Sequence, residues 1–283
     1  MSKIRQPDEE VKEVAQEAFS TASNYENVRP GYPAEAVELF LNNLGVGVME
    51  KEDDNDNKPR PFTILEVGCG TGKFTRVMLQ VLEDKNVHVI ASEPVQSMYE
   101  QFKVVVPDAE IIQCTAENIS LPDSSVDAVI AAQAFHWFAN RAACEEIHRV
   151  LKPSGTFGII WSQEDLSVPW TKDLYVFMDT LHEQNGLVFP YQENWKILRS
   201  RIFDKLFHPP KEDSSYKQFF PSSIEGAYNY LSSHSVVSGG TERNKKDFKE
   251  YFDSVMEKHF KADGIPFHHV PLQLYMYWFT KEA

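Results

Sequence analysis

The sequence predicts an α/β fold in which a doubly wound, mostly parallel sheet carries helices on both faces. The first observation behind this prediction is the apolar run at residues 62–67, which is typical of a buried strand. A glycine-rich turn and a helical pattern of apolar residues follow it, as far as position 82. The second observation is that three further strand-like runs, at 87–92, 109–114 and 128–134, alternate with helical segments. Such alternation is typical of parallel sheets.

Composition limits the classes of protein that the sequence allows. At 283 residues the chain is long enough to bury a sizeable core. Its formal net charge of -14 argues against a nucleic-acid partner, because phosphate binding needs a basic stripe. The three cysteines, Cys69, Cys114 and Cys144, form no C-x-x-C pair and no cysteine–histidine spacing. We therefore predict neither a disulfide framework nor a metal site.

Apolar runs bear on the expected location. Residues 1–6 lack the apolar core of a signal peptide, and no run approaches the length of a membrane span. We expect a cytoplasmic protein that does not bind membranes and is a monomer or a weak dimer.

The region before the first strand has three parts. Residues 8–19 show helical spacing, and a turn-rich loop with two prolines and a glycine follows. On physical grounds alone, Tyr25 and Tyr32 in this loop are expected to be packing residues more often than ligands. A helix is predicted at residues 34–44, and the acidic, polar stretch 47–60 is expected to be a solvated, mobile loop.

Glu66 lies at the end of the first predicted strand, and three glycines alternate in the turn that follows it: Gly68, Gly70 and Gly72. Glycine has no Cβ, so it lets the backbone turn sharply and lets a ligand lie against it. The helix that follows directs its free N–H groups at the turn. A dinucleotide pattern fails because Lys73 stands where its third glycine would be, and a phosphate loop would need Ser or Thr in place of Phe74. The segment is therefore predicted to hold a nucleotide-type cofactor other than a dinucleotide.

The string E-x-G-x-G-x-G from Glu66 to Gly72 resembles motif I of class I S-adenosylmethionine (SAM)-dependent methyltransferases. An acidic residue suits SAM, which carries an ammonium and a sulfonium and no pyrophosphate. The resemblance runs from about Tyr25 to Trp161. It implies a Rossmann-like sheet of seven strands with the last one antiparallel, SAM as the cofactor, S-adenosylhomocysteine (SAH) as the product, and no metal.

The second strand ends at Glu93, about twenty residues after the last glycine. A cofactor-binding α/β fold places there the carboxylate that accepts both ribose hydroxyls. The run E-P-x-x-x-M resembles the second motif of the family, which implies that Met98 packs near the adenosine and that Pro94 lies beside the ring.

The resemblance assigns further cofactor contacts near the third and fourth strands. Ala116 and Glu117 correspond to the loop that covers the adenine, through a backbone N–H and a nearby acid. Gln133 and Phe135 lie at the carboxyl end of the fourth strand, where open α/β sheets bind ligands. At the N-terminus, Y-x-x-x-R-P-x-Y-P resembles the lid of small-molecule methyltransferases and implies that Tyr25 and Arg29 face the methionyl end of SAM.

The run A-x-H-W-F around His136 resembles the trans-aconitate methyltransferase group. His136 could orient or deprotonate a nucleophile, as a catalytic residue, because its pKa lies near neutrality. Alternatively, it forms a structural hydrogen bond while Trp137 only lines the substrate pocket. The sequence leaves these two readings open.

The remainder of the chain carries less information. After a helix at 141–151 and a turn at 152–155, the string E-I-x-R-V-L-K-P-x-G resembles a late structural motif of the family and leads into a fifth strand at 156–161. Further elements are predicted as follows: helices at 170–184, 224–231 and 248–260, an inserted helical cap at 190–206, a sixth strand at 215–220 and a last strand at 271–280. Tyr191 and His234 are expected to line the acceptor pocket.

We expect a single domain over residues 1–283, divided as follows: lid helices 1–45, acidic loop 46–60, SAM-binding core 61–161, and substrate cap with final strands 162–283. The expected activity is methyl transfer from SAM to a small molecule, by O-methylation of a carboxylate or hydroxyl. Two alternatives remain: a methyltransferase acting on protein or RNA, and a SAM-binding protein without turnover.

Overall fold

The computed structural model describes residues 28–46, 60–184, 197–198, 200 and 203–282. Contacts within the chain divide it into two compact units. The core unit comprises Gly31–Trp161, Pro190–Ser214 and Tyr275–Ala283. The helical unit comprises Met1–Pro30, Ser162–Phe189 and Ser215–Leu274. The boundary predicted after position 161 coincides with one junction, but the segment 162–283 contributes to both units.

Helices and strands alternate through the first part of the described chain, as predicted. In chain order they are α1 (Ala34–Asn43), β1 (Phe62–Val67), α2 (Lys73–Val81), β2 (Val87–Ser92), α3 (Gln96–Val105), β3 (Glu110–Ile112), β4 (Val126–Ala132), α4 (Arg141–Val150) and β5 (Leu151–Glu164). A 3-10 turn, Phe135–Trp137, separates β4 from α4.

The later elements are α5 (Pro169–Gln184), β6 (Lys211–Asp213), β7 (Lys217–Pro221), α6 (Ile224–Ser232), α7 (Ser235–Ser238), α8 (Glu242–Met256) and β8 (His269–Thr280). A 3-10 turn, Phe203–Lys205, precedes β6, and a π-helical turn, Glu257–Lys261, ends α8. The predicted cap at 190–206 lies mostly outside the described residues, as do the predicted helix at 8–19 and nearly all of the acidic loop.

The strands form one eight-stranded sheet in the order β3-β2-β1-β4-β5-β8-β6, with β7 also paired to β8. Strands β1 to β5 pair in parallel, whereas β6 and β7 are antiparallel to β8. The predicted α/β class and the mostly parallel sheet with an antiparallel end are confirmed. One strand more is present than the predicted seven. The additional strand, Lys211–Asp213, is charged at every position, so no apolar alternation predicts it from the sequence. Charged residues are typical of edge strands.

The turn predicted at 152–155 lies within β5. Val126 of β4 pairs with Leu151, and Ala128 pairs with Thr156, so that extra residues of β5 face a single residue of β4. Ser154 takes a φ of 60° there. The four residues therefore form an irregular bulge in a continuous strand, which is how a turn-like sequence is accommodated at a sheet end.

Each unit has its own apolar core. In the core unit, Phe135, Phe157 and Phe279 belong to one buried cluster. In the helical unit, Trp170 and Phe248 belong to another. No helix in the part of the chain that the structure describes is both long and apolar enough to cross a membrane.

Candidate functional site

The register of the first two strands brings the predicted glycine turn and Glu93 together. Val67 at the end of β1 pairs with Ser92 at the end of β2. The N–H groups of Gly68 and Cys69 both donate to the Ser92 carbonyl, at 2.9 and 3.0 Å. The residue after β2 therefore lies beside the turn that follows β1.

Glu93 is 5 % exposed and its carboxylate is held by two backbone donors. The Gly70 N–H donates to Oε2 and the Val95 N–H donates to Oε1, each at 2.9 Å. Each carboxylate oxygen has two lone pairs, so both oxygens can still accept a hydroxyl of a vicinal diol. These two bonds fix the orientation of the acid and the path of the glycine turn at once.

The three glycines of the turn are required for different reasons, although all have positive φ (71°, 58° and 87°). A Cβ at Gly68 would lie 2.8 Å from the Ala134 Cβ, and one at Gly72 would lie 2.6 Å from the Val106 Cγ2. A Cβ at Gly70 would meet only the Met98 sulfur, at 4.0 Å. Two of the glycines are thus required by close packing, whereas the surface of Gly70 is open to a ligand.

Glu66 lies beneath this turn, on β1, and is 1 % exposed. The Thr75 hydroxyl donates to its Oε2 at 2.6 Å. Burial raises the pKa of Glu66 to about 8, against the lowering effect of the Thr75 hydrogen bond and with a further rise from the charge of Glu93. Burial also raises the pKa of Glu93 to about 6, opposed by the Val95 and Gly70 N–H groups. At neutral pH, Glu66 is therefore largely protonated and Glu93 largely ionised in the ligand-free protein, and a bound cation would favour the ionised form of both acids.

The other predicted adenosine contacts lie in different surroundings. Met98 is buried beside Gly70, while Pro94 is exposed. Ala116 is buried, and Glu117 is half-buried and accepts a hydrogen bond from the Asn140 amide at 2.9 Å. Sequence reasoning did not find Asn140. An asparagine one residue before a helix is typical of a cap, and this local pattern carries no sign of the second bond to Glu117.

At the carboxyl end of β4, Gln133 takes a φ of 53° and its N–H donates to the Ile160 carbonyl at 3.0 Å. The ring of Phe135 is enclosed in the core and meets the rings of Phe138 and Phe157 at centroid distances of 5.6 and 5.5 Å. The side chain of Phe135 therefore packs in the core, and its predicted contact with the cofactor stays a prediction.

His136 is 5 % exposed and lies between two indole rings. Its ring centroid is 4.7 Å from that of Trp137 and 4.8 Å from that of Trp161. An aromatic enclosure of this kind lowers the local polarity around an imidazole. Trp161 was expected only as the end of a strand, and its aromatic contact with His136 depends on pairing between β4 and β5.

In the helical unit, His234 belongs to a buried polar cluster. Its Nε2 lies 3.3 Å from the Oε1 of Glu164, and the Tyr230 hydroxyl donates to the same oxygen at 2.7 Å. Glu164 is 3 % exposed. Burial acts to raise the pKa of Glu164, but the charge of His234 and the hydrogen bonds from His234 and Tyr230 outweigh it and hold this pKa at about 2. The sequence analysis missed Glu164, although an acid at the carboxyl end of the fifth strand is a signal that could have been used.

Arg29 lies in the same unit as His234. Its Nη2 donates to the Ser233 carbonyl at 3.0 Å, and its guanidinium carbon is 5.7 Å from the centroid of the Tyr230 ring. The contact with SAM that the resemblance implies for Arg29 stays a prediction. Tyr25 and Tyr191 lie outside the described residues. Tyr32 packs against Phe74 at a centroid distance of 5.1 Å, as expected of a packing residue.

Residues 65–159, which contain the glycine turn, Glu93 and His136, match the profile of a family described as a methyltransferase domain. An uncharacterised methyltransferase of Schizosaccharomyces pombe is 36% identical over 235 residues, which cover 83% of this chain and 85% of that protein. The chain belongs to the methyltransferase family.

Two further comparisons agree with this assignment. An uncharacterised methyltransferase of Mycobacterium bovis is 32% identical over 155 residues, 55% of this chain and 56% of that protein, so the match spans little more than half the length of that relative. The structure of a candidate type II methyltransferase from Anaeromyxobacter dehalogenans has a TM-score of 0.56 at 21% identity, with 89% of this chain and 97% of that chain covered. The latter supports the methyltransferase fold.

The residues around the glycine turn fit a nucleoside that carries positive charge. Gly70 leaves an open surface beside the carboxylate of Glu93, and a second acid, Glu66, lies beneath it. Among the described residues, no group of three or more His, Cys, Asp or Glu side chains is placed to hold a metal ion. His136 and Trp137 lie in the core unit and His234 in the helical unit. Their predicted sharing of one pocket stays a prediction.

The raised pKa values of Glu66 and Glu93 make the folding stability of the ligand-free protein depend on pH. Both acids bind protons more tightly in the folded state, so their stabilising effect is full below the ordinary pKa of 4.5. It is lost as the pH rises through about 6 for Glu93 and about 8 for Glu66. Chemical denaturation between about pH 5 and 8.5 is expected to show a falling free energy of unfolding. The Glu66→Gln variant should show a shallower fall, and an unchanged slope would contradict the assignment of the effect to Glu66.

Proposed function

We propose that this protein binds SAM and transfers a methyl group to a small-molecule acceptor, by O-methylation of a carboxylate or hydroxyl, with SAH as the product and no metal. One observation carries the proposal: the carboxylate of Glu93 contacts the Gly70 N–H at 2.9 Å. An acid suited to a ribose diol thus lies against the one glycine of the turn whose surface is open. Membership of the methyltransferase family supports SAM as the ligand.

Different residues of the chain would bind different parts of SAM. Glu93 would accept the ribose hydroxyls, and Met98 would pack against the adenosine beside Gly70. Ala116 and Glu117 would contact the adenine edge. Glu66 lies beneath the turn, and the positive charges of the ligand would favour its ionised form.

When bound, SAM supplies a methyl group already activated by a sulfonium leaving group. The chain therefore has to orient the acceptor and to exclude water, and orientation alone is worth on the order of 7–11 kcal/mol in favourable cases. Trp137 and Trp161 surround His136 with apolar surface, which supports a water-poor position for the reacting groups. His136 would accept the proton of a hydroxyl acceptor or hold it by a hydrogen bond.

The small-molecule class rests on charge. The net charge of -14 disfavours RNA, whose backbone phosphates would be repelled. In the helical unit, the guanidinium of Arg29 and an imidazole N–H of His234 would suit an acceptor bearing a carboxylate. The predicted acceptor contacts of Trp137, Tyr191 and His234 are part of this proposal.

A thermal-denaturation screen tests the cofactor directly. A ligand present at a hundredfold its dissociation constant stabilises the folded state by about 2.7 kcal/mol, so SAM and SAH should each raise the melting temperature by roughly 5 °C or more. NAD and free methionine serve as controls and should give no comparable shift. If neither SAM nor SAH raised the melting temperature, or if NAD raised it equally, the proposal would be contradicted. Transfer itself is then measured with radiolabelled methyl groups over a panel of small acids, phenols and amines.

A further inference from the structure

Asn140 makes two hydrogen bonds that link a helix to the segment carrying Glu117. Its Oδ1 accepts the Ala143 N–H at 3.0 Å, which caps the N-terminus of α4. Its Nδ2 donates to the Oε1 of Glu117 at 2.9 Å. The amide oxygen can only accept and the amide nitrogen can only donate, so the two bonds together fix which way the side chain faces. The carboxylate of Glu117 is thereby tied to a rigid element.

The backbone that follows Glu117 is tied to the same helix. The Oε2 of Glu146 accepts the Ile119 N–H at 3.0 Å. Arg149 donates through Nη2 to the Ile119 carbonyl and through Nη1 to the Leu121 carbonyl, each at 2.9 Å.

Arg149 also forms a paired contact with both carboxylate oxygens of Glu146, each at 2.8 Å. The hydrogen bonds from Arg149 hold the pKa of Glu146 below its ordinary value. This pair stays charged at neutral pH, and charge-assisted bonds of this kind are the stronger class. Helix α4 therefore holds the loop backbone through Glu146 and Arg149, and holds its acid through Asn140.

Such a double attachment is what a recognition group needs, because a side chain recognises a ligand with precision only when its own rotamer is locked. A fixed carboxylate accepts hydrogen bonds and cannot donate them, so it favours a partner that presents N–H. The 6-amino group of adenine is such a partner. A 6-oxo group at the same place would put two acceptors face to face.

We propose that Asn140 is a positioning residue that aims Glu117 at the 6-amino group of the adenine and so sets the preference of this methyltransferase for an adenine-containing cofactor. The inference rests on the proposed function, which places the adenine at Ala116 and Glu117. It adds the residue that orients the acid and the reason why α4 is part of cofactor selection.

The experiment compares SAH with S-inosylhomocysteine, in which a 6-oxo group replaces the 6-amino group. The dissociation constants of both compounds are measured by calorimetry on the full chain, and their ratio is the readout. The wild type should prefer SAH by roughly ten-fold or more, since a charge-assisted hydrogen bond is replaced by repulsion. Glu117→Ala should bring the ratio close to one. Asn140→Ser keeps a capping oxygen but removes the amide donor, and it should lower the ratio at least threefold, by roughly half a decade.

Three controls separate positioning from general damage. Asn118→Ser makes the same substitution at an exposed residue of the same loop and should leave the ratio unchanged. Asn140→Asp keeps the cap and the side-chain shape while replacing the donor with an acceptor, so it should lower the ratio even if Asn140→Ser does not fold. The melting temperature of each ligand-free variant reports any loss of the cap.

The outcomes are distinguishable. Failure of the wild type to bind SAH would overturn the proposed function together with this inference. Binding of SAH by the wild type without preference over S-inosylhomocysteine would overturn the inference alone. If the Asn140 variants weaken both compounds equally, the residue is only structural and the inference is likewise overturned.

Discussion

A Gly72→Ala variant is expected to lose about 2 to 5 kcal/mol of folding stability. The residue has a φ of 87°, and a left-handed conformation costs an L-residue roughly 1–2 kcal/mol. The new Cβ would also lie 2.6 Å from Val106 and 3.0 Å from Phe102, and overpacking of this kind adds about 1–3 kcal/mol. Urea denaturation of the ligand-free protein measures the loss.

Gly70→Ala is the matched control, because it makes the same change two residues away. Its φ of 58° again favours glycine, but the Cβ would meet only the Met98 sulfur at 4.0 Å. The stability cost is therefore expected to be about 1–2 kcal/mol, from the backbone alone. The affinity for SAM should fall at least tenfold, because the new methyl group would occupy the surface against which the ligand is proposed to lie. Retention of full affinity in a folded Gly70→Ala protein would show that no ligand approaches this turn.

Removal of the Glu93 side chain is expected to have the largest effect on cofactor binding. Glu93→Ala loses two proposed bonds to the ribose, and hydrogen bonds to charged groups contribute about 1.5–3 kcal/mol each, so the affinity for SAM should fall a hundredfold or more. It also leaves the Gly70 and Val95 N–H groups without their carboxylate acceptor. Calorimetric titration with SAH measures the loss.

The chain offers a control on the neighbouring strand. Glu110 on β3 is exposed and pairs with His88 at the surface, so Glu110→Ala should bind SAH as the wild type does. Glu93→Gln retains one acceptor oxygen, and its affinity for SAH is expected to lie between those of Glu93→Ala and Glu110→Ala. Equal affinities of Glu93→Ala and Glu110→Ala would contradict the proposed ribose contact.

Much of the cofactor side of the site could be predicted because it is local in sequence. Glu66 and the glycine turn lie within one strand–turn–helix segment, and Glu93 ends the next strand. Parallel pairing of two successive strands is enough to bring Glu93 to Gly70. The sequence could not show that Gly68 and Gly72 serve packing while Gly70 faces outward, because Ala134 and Val106 reach the turn from other elements.

What sequence reasoning missed depends on contacts between distant residues. Glu164 and Tyr230 are 66 positions apart, and their hydrogen bond exists only once β5 and α6 have met in the helical unit. Asn140 and Glu117 are 23 positions apart, and only the capping function of Asn140 has a local pattern. Likewise, the charged strand Lys211–Asp213 carries no periodic signal and acquires its conformation from β8.

The position of β8 has a consequence for how the protein is made. This strand, His269–Thr280, is the last of the named strands in chain order, yet it lies between β5 and β6 in the sheet. On a translating ribosome β5 emerges long before β8, so the edge of β5 that faces β8 stays unpaired until β8 has been synthesised. The hydrogen bond of Arg29 also forms late, because its acceptor, the Ser233 carbonyl, comes 204 positions later in the chain. An unpaired edge of this kind is a template for aggregation, and a truncation before His269 would remove an interior strand from the sheet.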